Sequence, residues 1–249
     1  IRDRYKSEVK PVIELKGLWH PYLSSSKSSD EVICNSISIG GSNPNNIVLT
    51  GPNAGGKSTF IKAVSLSILF SHTFGISFSK EAIITPLSLI NTYLNIPDCK
   101  NKESLFEAEM HRSRNYLKML TELDKNDFSF IVMDEIFSST NPEEGISGAY
   151  AICNKLSEYD NSISIITTHY NYLTNLEKEG KFKNYHIPIT RNEQSEIVYP
   201  YILKEGHSNQ HIALELLKNK GFDSEIVDYA IDVCNKISNN KEHYMNGIS

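Results

Sequence analysis

Short apolar runs bounded by polar turns recur along the chain, at 46–50, 130–135 and 162–169. Runs of this kind are typical of strands buried on both faces of a parallel sheet. Apolar residues recur at three- and four-residue spacings over about 105–123 and 143–158, which predicts two helices between these strands. The alternation of strands and helices predicts a doubly wound α/β domain, with a mostly parallel sheet flanked by helices.

The beginning of the chain adds two predicted strands and a loop. Residues 12–21 predict a short strand that ends at its proline, and residues 32–39 predict another. The small polar residues at 24–31 have no apolar periodicity, so we expect an exposed loop there. We assign residues 1–206 to the α/β domain.

The end of the chain has a different pattern. Residues 208–219 and 223–238 predict two helices joined at Gly221, and the tail 239–249 carries no such pattern and is expected to fray. Three lysines against five acids give residues 207–240 a net charge of −2, which argues against a DNA-binding helix-turn-helix. The apolar stripe of the second helix predicts that the unit at 207–238 packs either against a partner or inside its own domain.

Composition excludes several classes of protein. The 249 residues are 39% hydrophobic with a net charge of −5, which argues against disorder and against a stand-alone basic surface for DNA. No apolar stretch approaches the roughly 20 residues that cross a membrane. The four cysteines form no CxxC pair, and no signal-peptide pattern is present, so we expect an intracellular protein, cytoplasmic (nucleoid-associated) or nuclear, that is not secreted. Because the first residue is Ile1, we expect a piece of a longer protein.

The strongest chemical signal is GPNAGGKS at 51–58, which fits G-x-x-x-x-G-K-[ST] in full. An apolar strand pattern precedes it and a helical pattern follows, as a phosphate-binding loop requires. Its glycines allow a tight turn that directs backbone N–H groups at phosphate oxygens, and the helix N-terminus adds positive potential. The predicted nucleotide-binding residues here are Gly51, Pro52, Asn53, Ala54, Gly55, Gly56, Lys57, Ser58 and Thr59. Lys57 would contact the β- and γ-phosphates as a catalytic group, and Ser58 would ligate Mg²⁺.

Acidic and basic residues follow two of the predicted strands. Asp134 and Glu135 end the strand pattern at 130–135, at the sheet edge where ligands of open α/β sheets bind. Asp134 would hold Mg²⁺, and Glu135 would be the general base that activates the attacking water. His169 ends the pattern at 162–169 and could sense the γ-phosphate or orient the water, although a lone histidine is more often only a satisfied polar group. These features predict a Mg²⁺-dependent site that binds and hydrolyses a nucleoside triphosphate.

Several segments resemble one family: TGPNAGGKST (50–59), SLFEAEM (104–110), VMDEIFSSTNPEEG (132–145) and TTHY (167–170), with HP (20–21) and VICN (32–35) upstream. In this order and at this spacing they resemble the ATPase domain of the MutS DNA mismatch-repair proteins, an ABC-type branch of the P-loop ATPases. The resemblance covers most of the chain. It implies an ATPase that forms a homodimer or paralogous heterodimer through composite ATP sites and through the C-terminal helices at 207–238. ATP binding would tighten the dimer, and contact with DNA would be made through segments that are not in this chain.

The resemblance also implies roles for individual residues. His169 matches the family's switch histidine, and Asn53 would lie beside the γ-phosphate. Ser104 matches a serine that contacts the nucleotide of the other subunit, although Ser104-x-x-Glu107 is also a capping box before a helix. The resemblance assigns the adenine to a further set of residues: Val32, Ile33 and Tyr201.

The chain departs from the family pattern after Glu135. The segment IFSSTNPEEG lacks the arginine found before the threonine in mismatch-repair members, which leaves open a divergent MutS-like paralogue. Asn141 and Pro142 in this segment predict a helix N-cap and first position. Two other classes remain as alternatives: the nucleotide-binding subunit of an ABC transporter, against which the missing LSGGQ-type segment argues, and a non-enzymatic nucleotide-gated scaffold, against which Glu135 argues.

Overall fold

A computed structural model describes residues 10–24, 32–94, 104–194, 196–208 and 221–246. The chain divides into two compact units, residues 1–208 and 209–249. The strands of the first unit, numbered in chain order, are β1 (Val12–Leu18), β2 (Asn35–Gly40), β3 (Asn46–Thr50), β4 (Glu81–Ile84), β5 (Leu89–Tyr93), β6 (Ser129–Met133), β7 (Ser162–Thr167), β8 (Phe182–His186), β9 (Thr190–Arg191), β10 (Ile197–Val198) and β11 (Lys204–Glu205). Its helices are α1 (Pro21–Ser24), α2 (Lys57–Phe74), α3 (Leu105–Glu122) and α4 (Pro142–Leu156), with a 3-10 helix at Asn171–Glu179.

The main sheet has the strand order β11-β8-β3-β7-β6-β5. All of its neighbouring pairs are parallel except β11 with β8, which confirms the mostly parallel sheet. The register pairs Leu49 with Thr167 and Met133 with Ile166, so the carboxyl ends of β3, β7 and β6 meet at one edge. This edge is where the sequence predicts the chemistry.

Helices pack on both faces of the main sheet, as the strand–helix alternation predicts. Ile47 and Leu49 of β3 contact one apolar cluster with Ile61 of α2, whereas Val48 between them contacts a second cluster on the other face. That second cluster includes Tyr116 of α3, with further members from α4. Because successive side chains of a strand point to opposite faces, β3 is buried on both sides, which explains its unbroken apolar sequence.

Strand β1 lies between β2 and β4 in a separate antiparallel sheet. The prediction of a strand over 12–21 is wrong at its end: β1 stops at Leu18, and Pro21–Ser24 form a helical turn, where proline is suited to the first position. Residues 32–34 precede β2 without strand structure. The predicted loop at 24–31 lies outside the described residues, apart from Ser24.

The two strands that carry the acids and the histidine are shorter than the sequence predicts. β6 ends at Met133 because Glu135 has φ 55°, a left-handed conformation that cannot continue a strand. β7 ends at Thr167, so His169 also follows its strand rather than ending it.

The second unit contains helix α5 (Ser224–Asn246). This helix continues beyond the predicted end at 238, so the expectation of an irregular tail from 239 is wrong as far as Asn246. The sequence has no glycine or proline between 224 and 246 to end the helix. The predicted helix over 208–219 lies outside the described residues, apart from Ser208.

Candidate nucleotide site

The phosphate loop connects β3 to α2, and three of its residues have positive φ: Gly51 (143°), Ala54 (61°) and Gly56 (99°). A Cβ on Gly51 would lie 2.8 Å from the carbonyl oxygen of Ile187, and one on Gly56 would lie 3.0 Å from Cδ1 of Tyr201. Glycine is therefore required at both positions by conformation and by close contact. Helix α2 begins at Lys57, immediately after the loop, with its N-terminal N–H groups facing it.

Lys57 is 4% exposed, and its ammonium donates to the carbonyl oxygens of Gly51 (2.9 Å) and Pro52 (3.2 Å). Burial lowers the pKa of Lys57, while the nearby carboxylates of Glu135 and Asp134 act in the opposite direction. The ammonium of Lys57 is therefore buried against the backbone of the loop, where the sequence predicts phosphate binding.

Asp134 brings the predicted metal ligands together. Its Oδ2 accepts a hydrogen bond from Ser58 Oγ (2.9 Å), and its Oδ1 accepts one from Thr167 Oγ1 (2.5 Å). One carboxylate and one hydroxyl are oxygen donors of the kind Mg²⁺ binds, usually with waters and substrate phosphates as its other ligands. Ser58 and Asp134 supply two such oxygens side by side, so the residues present fit Mg²⁺ held partly by a nucleotide.

Glu135 and His169 form a hydrogen-bonded pair, with Oε1 and Nε2 2.7 Å apart. An ionised carboxylate only accepts, so the shared proton belongs to Nε2 of His169. This hydrogen bond is the main cause that lowers the pKa of Glu135, with burial acting against it. The Glu135 N–H donates to the backbone oxygen (3.1 Å) and the hydroxyl (2.9 Å) of Thr167. The predicted base is thus oriented by histidine and kept ionised.

A cavity of about 460 Å³ extends from the phosphate loop toward β1 and α1. Most of the predicted nucleotide-binding residues line this cavity, together with Glu135. The lining residues from the predicted set are Pro52, Asn53, Ala54, Gly56, Lys57, Ser58, Thr59, Val32, Ile33 and Tyr201. Asn35 makes two hydrogen bonds to the backbone of the Tyr201 segment. Its Nδ2 donates to the carbonyl oxygen of Tyr201 (3.0 Å), and its Oδ1 accepts from the Leu203 N–H (2.7 Å).

The cavity also has lining residues that the sequence did not single out as site residues. Trp19, His20 and Asn35 line it, and Thr167 contacts both acids at the sheet edge. The Nδ1 atom of His20 is buried with no hydrogen-bond partner among the described residues, and burial lowers the pKa of this imidazole. The only sequence signal for them was the likeness of three segments to a family: HP (20–21), VICN (32–35) and TTHY (167–170).

Ser104 is the N-cap of α3. The Glu107 N–H donates to Ser104 Oγ (3.2 Å), and the Ser104 N–H donates to Glu107 Oε2 (2.9 Å), which confirms the predicted capping box. Ser104 is exposed and does not line the cavity. The structure therefore does not bring it together with the phosphate loop of the same chain.

The segment after Glu135 turns directly into helix α4. Asn141 Oδ1 accepts from the Glu143 N–H (3.0 Å) and Pro142 is the first helical residue, which confirms the predicted cap. Phe137 has φ 55°, and its carbonyl oxygen accepts from the Tyr170 hydroxyl (2.9 Å). This hydrogen bond joins the segment after the acids to the segment that carries His169.

These features define the class of the protein: a P-loop NTPase-like α/β protein. The features are a mostly parallel sheet, a glycine-rich loop at a helix N-terminus, a buried lysine, and a carboxylate that accepts a hydrogen bond from the serine of that helix. The family model for "MutS domain V" matches residues 47–238. The chain belongs to the MutS family. Members of this family are ATPases that use ATP with Mg²⁺ and act as dimers on DNA.

Individual relatives agree with the family match. The chain is 32% identical over 225 residues to the DNA mismatch repair protein MutS of Persephonella marina, covering 89% of this chain and 25% of that protein. It is 30% identical over 250 residues to the protein of the same name from Fusobacterium nucleatum, covering 97% and 27%. The chain therefore spans about a quarter of the length of these curated relatives.

No helix among the described residues is long and apolar enough to cross a membrane.

Proposed function

We propose that this chain binds ATP with Mg²⁺ and hydrolyses it to ADP and phosphate. The observation that carries the proposal is the meeting of the phosphate loop, Asp134 and the Glu135–His169 pair at one sheet edge, beside one cavity. Mg²⁺ bound with the nucleotide would neutralise charge on the phosphates. The loop N–H groups and Lys57 would bind the triphosphate, and Ser58 and Asp134 would hold the metal ion.

The proposed chemical step depends on Glu135. Its carboxylate would accept a proton from the attacking water, which then bonds to the γ-phosphorus as the bond to the ADP oxygen breaks. The hydrogen bond from His169 supports this role because it orients the carboxylate and favours its ionised form. General-base catalysis of this kind contributes about 10²- to 10⁴-fold in rate.

The cavity walls outside the phosphate loop would hold the adenine. Val32 and Ile33 supply apolar surface, and the Tyr201 ring lies against the loop glycine Gly56. A flat base with polar edges suits a cavity that combines aromatic and aliphatic walls with a few polar groups.

We further propose that two copies, or this chain and a paralogue, pair through composite ATP sites and through the C-terminal helices. Ser104 supports this because it lies exposed at the N-terminus of an 18-residue helix, where N–H groups attract phosphate, yet outside the cavity of its own chain. It would contact the nucleotide of the partner. Closure of the dimer would then drive the handling of DNA, which the mismatch-repair names of the relatives suggest.

The test is the mass in solution of the Glu135→Gln variant, measured by light scattering with and without ATP and Mg²⁺. We expect a dimer that strengthens with ATP, and loss of this effect in Ser104→Ala. Ser104→Asp is the matched control, since aspartate also caps helices but would repel a phosphate. A Ser104→Asp protein that dimerises like its parent would leave Ser104 with the capping role alone.

Turnover is measured on the wild-type chain in parallel. Phosphate release that Glu135→Gln abolishes supports the enzyme. ATP-dependent dimerisation without any turnover would instead favour a nucleotide-gated scaffold, and the proposal of hydrolysis would be wrong.

A further inference from the structure

The side chain of Thr167 contacts both acids of the candidate site, Asp134 and Glu135, from the strand beside theirs. It is the last residue of β7, which separates the phosphate-loop strand β3 from the acid-bearing strand β6. Its side chain is completely buried. A hydroxyl at such a position must be hydrogen-bonded, because a buried polar group without a partner is costly.

The Thr167 hydroxyl makes two hydrogen bonds whose directions are fixed. It donates its only proton to Asp134 Oδ1 (2.5 Å), since an ionised carboxylate can only accept. It accepts the backbone N–H of Glu135 (2.9 Å), which can only donate. One oxygen atom therefore contacts both consecutive acids, one through its side chain and the other through its backbone.

Each acid has a reason to need this contact. The other oxygen of Asp134 is bound by Ser58 (2.9 Å), so the two hydroxyls together fix the plane of the carboxylate. Glu135 has φ 55°, a conformation that is strained for a residue with a Cβ and persists only where its surroundings hold it. Among the described residues, the N–H of Glu135 is held by Thr167 alone, through its hydroxyl and its carbonyl oxygen.

We propose that the Thr167 hydroxyl is a positioning group for the reaction, which sets the metal-binding carboxylate of Asp134 and the backbone of the general base Glu135 at once. This inference rests on the proposed ATPase function. Partners that orient a metal ligand typically change metal affinity or activity by about 10- to 100-fold when they are removed. A loss of the hydroxyl should therefore alter both the Mg²⁺ requirement and the rate.

The test compares three variants in the full chain. Thr167→Val keeps the shape of the side chain and removes the hydroxyl, whereas Thr167→Ser keeps the hydroxyl. Ser164→Ala is the matched control, because Ser164 is a buried hydroxyl on the same strand that donates to Asn46 Oδ1 (2.7 Å), away from the acids. Thermal unfolding is recorded for all variants, and Thr167→Ala replaces Thr167→Val if the valine protein does not fold.

The readouts are kcat, the Mg²⁺ concentration for half-maximal rate, and ATP affinity in Mg²⁺ and in EDTA. For Thr167→Val we expect kcat to fall about 10- to 100-fold and the Mg²⁺ requirement to rise by about tenfold. ATP affinity in EDTA should stay unchanged, because the phosphate loop is intact. Thr167→Ser should return both values to within about threefold of wild type, and Ser164→Ala should leave both unchanged.

Two results would overturn the inference. One is a Thr167→Val protein with the kcat and the Mg²⁺ requirement of wild type. The other is equal loss in Thr167→Val and Ser164→Ala, which would mean that any buried hydroxyl of β7 matters only for stability. A wild-type chain without turnover would contradict the proposed ATPase function itself, and the Mg²⁺ dependence of ATP affinity in the Glu135→Gln background would still test whether Thr167 sets Asp134.

Discussion

Glu135 and His169 are separated by 34 positions in the sequence, yet Oε1 of the glutamate lies 2.7 Å from Nε2 of the histidine. The two residues follow neighbouring parallel strands, β6 and β7, whose carboxyl ends meet at one edge. Their side chains are 38% and 36% exposed, so the pair is open to a water molecule while the hydrogen bond fixes its geometry. This arrangement gives the proposed base and the histidine that orients it separate roles.

We expect Glu135→Gln to reduce ATP turnover by about 10²-fold or more, because glutamine cannot accept the proton from water. His169→Ala should cost less, about tenfold to 10²-fold, since the carboxylate would remain but lose its orientation and the cause that lowers its pKa. Phosphate release measures turnover, and binding of a fluorescent ATP analogue serves as the control for the intact cavity. Equal turnover in Glu135→Gln and wild type would assign the base elsewhere.

Gly56 and Gly75 allow a matched test of the phosphate loop, since both have positive φ, at 99° and 70°. Alanine at either position should cost about 1–2 kcal/mol in conformational strain. At Gly75 a Cβ would have nothing within 4 Å, whereas at Gly56 it would lie 3.0 Å from the Tyr201 ring. We expect Gly75→Ala to lower only stability, and Gly56→Ala to weaken ATP binding by about tenfold as well.

Urea denaturation and ATP titration of both glycine variants separate the two effects. If Gly75→Ala weakened ATP binding as much as Gly56→Ala, general destabilisation would explain both, and the contact between the loop and Tyr201 would have no part in binding.

The parts of the candidate site whose position in the fold could be predicted are contiguous in the sequence. Residues 51–59 carry the whole phosphate loop between one strand and one helix, so the local pattern contains the local structure. Asp134 and Glu135 directly follow the apolar run of β6, and the end of this run predicted that both acids lie at the edge of the sheet.

The parts that were missed depend on residues that are distant in the sequence. Asn35 holds the backbone of Tyr201 from 166 positions away, and no local pattern encodes this pairing. β5 and β8 were also missed, because the sequences LINTY and FKNYH mix polar with apolar residues. Asn184 of β8, for instance, is buried and bonded to the carbonyl oxygen of Thr174 (2.8 Å), a contact that makes a polar residue acceptable in a strand core.

Asn35 gives a test of whether the Tyr201 segment shapes the cavity. Asn35→Ala removes two hydrogen bonds to this segment, at about 1 kcal/mol each, and we expect ATP affinity to fall about 5- to 30-fold with kcat unchanged. Asn45→Ala is the control, because Asn45 Nδ2 donates to the backbone carbonyl oxygen of Asp160 (2.8 Å), at the end of β3 opposite to the phosphate loop. Equal affinities in the two variants would contradict a role for the Tyr201 segment in binding.

Glu109 of α3 is 4% exposed and accepts a hydrogen bond from Ser139 Oγ (2.9 Å), in the segment that follows the two acids. Burial raises the pKa of Glu109, and the hydrogen bond from Ser139 only partly opposes it. Between the ordinary carboxyl pKa and this raised value, the folded chain binds more protons at Glu109 than the unfolded chain does. Its contribution to the free energy of unfolding therefore decreases as the pH rises through that window.

Glu109→Gln should remove this pH dependence while it keeps the shape of the side chain. We expect the free energy of unfolding of the variant, relative to wild type, to increase as the pH is raised above the ordinary carboxyl pKa, and to level off once Glu109 is ionised in the folded chain as well. Urea denaturation at several pH values measures the difference, with Glu122→Gln, an exposed residue of the same helix, as the control for loss of a charge. A difference that is constant across this range, or that decreases as the pH rises, would contradict the raised pKa of Glu109. The segment after Glu135 would then rest on a carboxylate that is stably ionised when the chain folds.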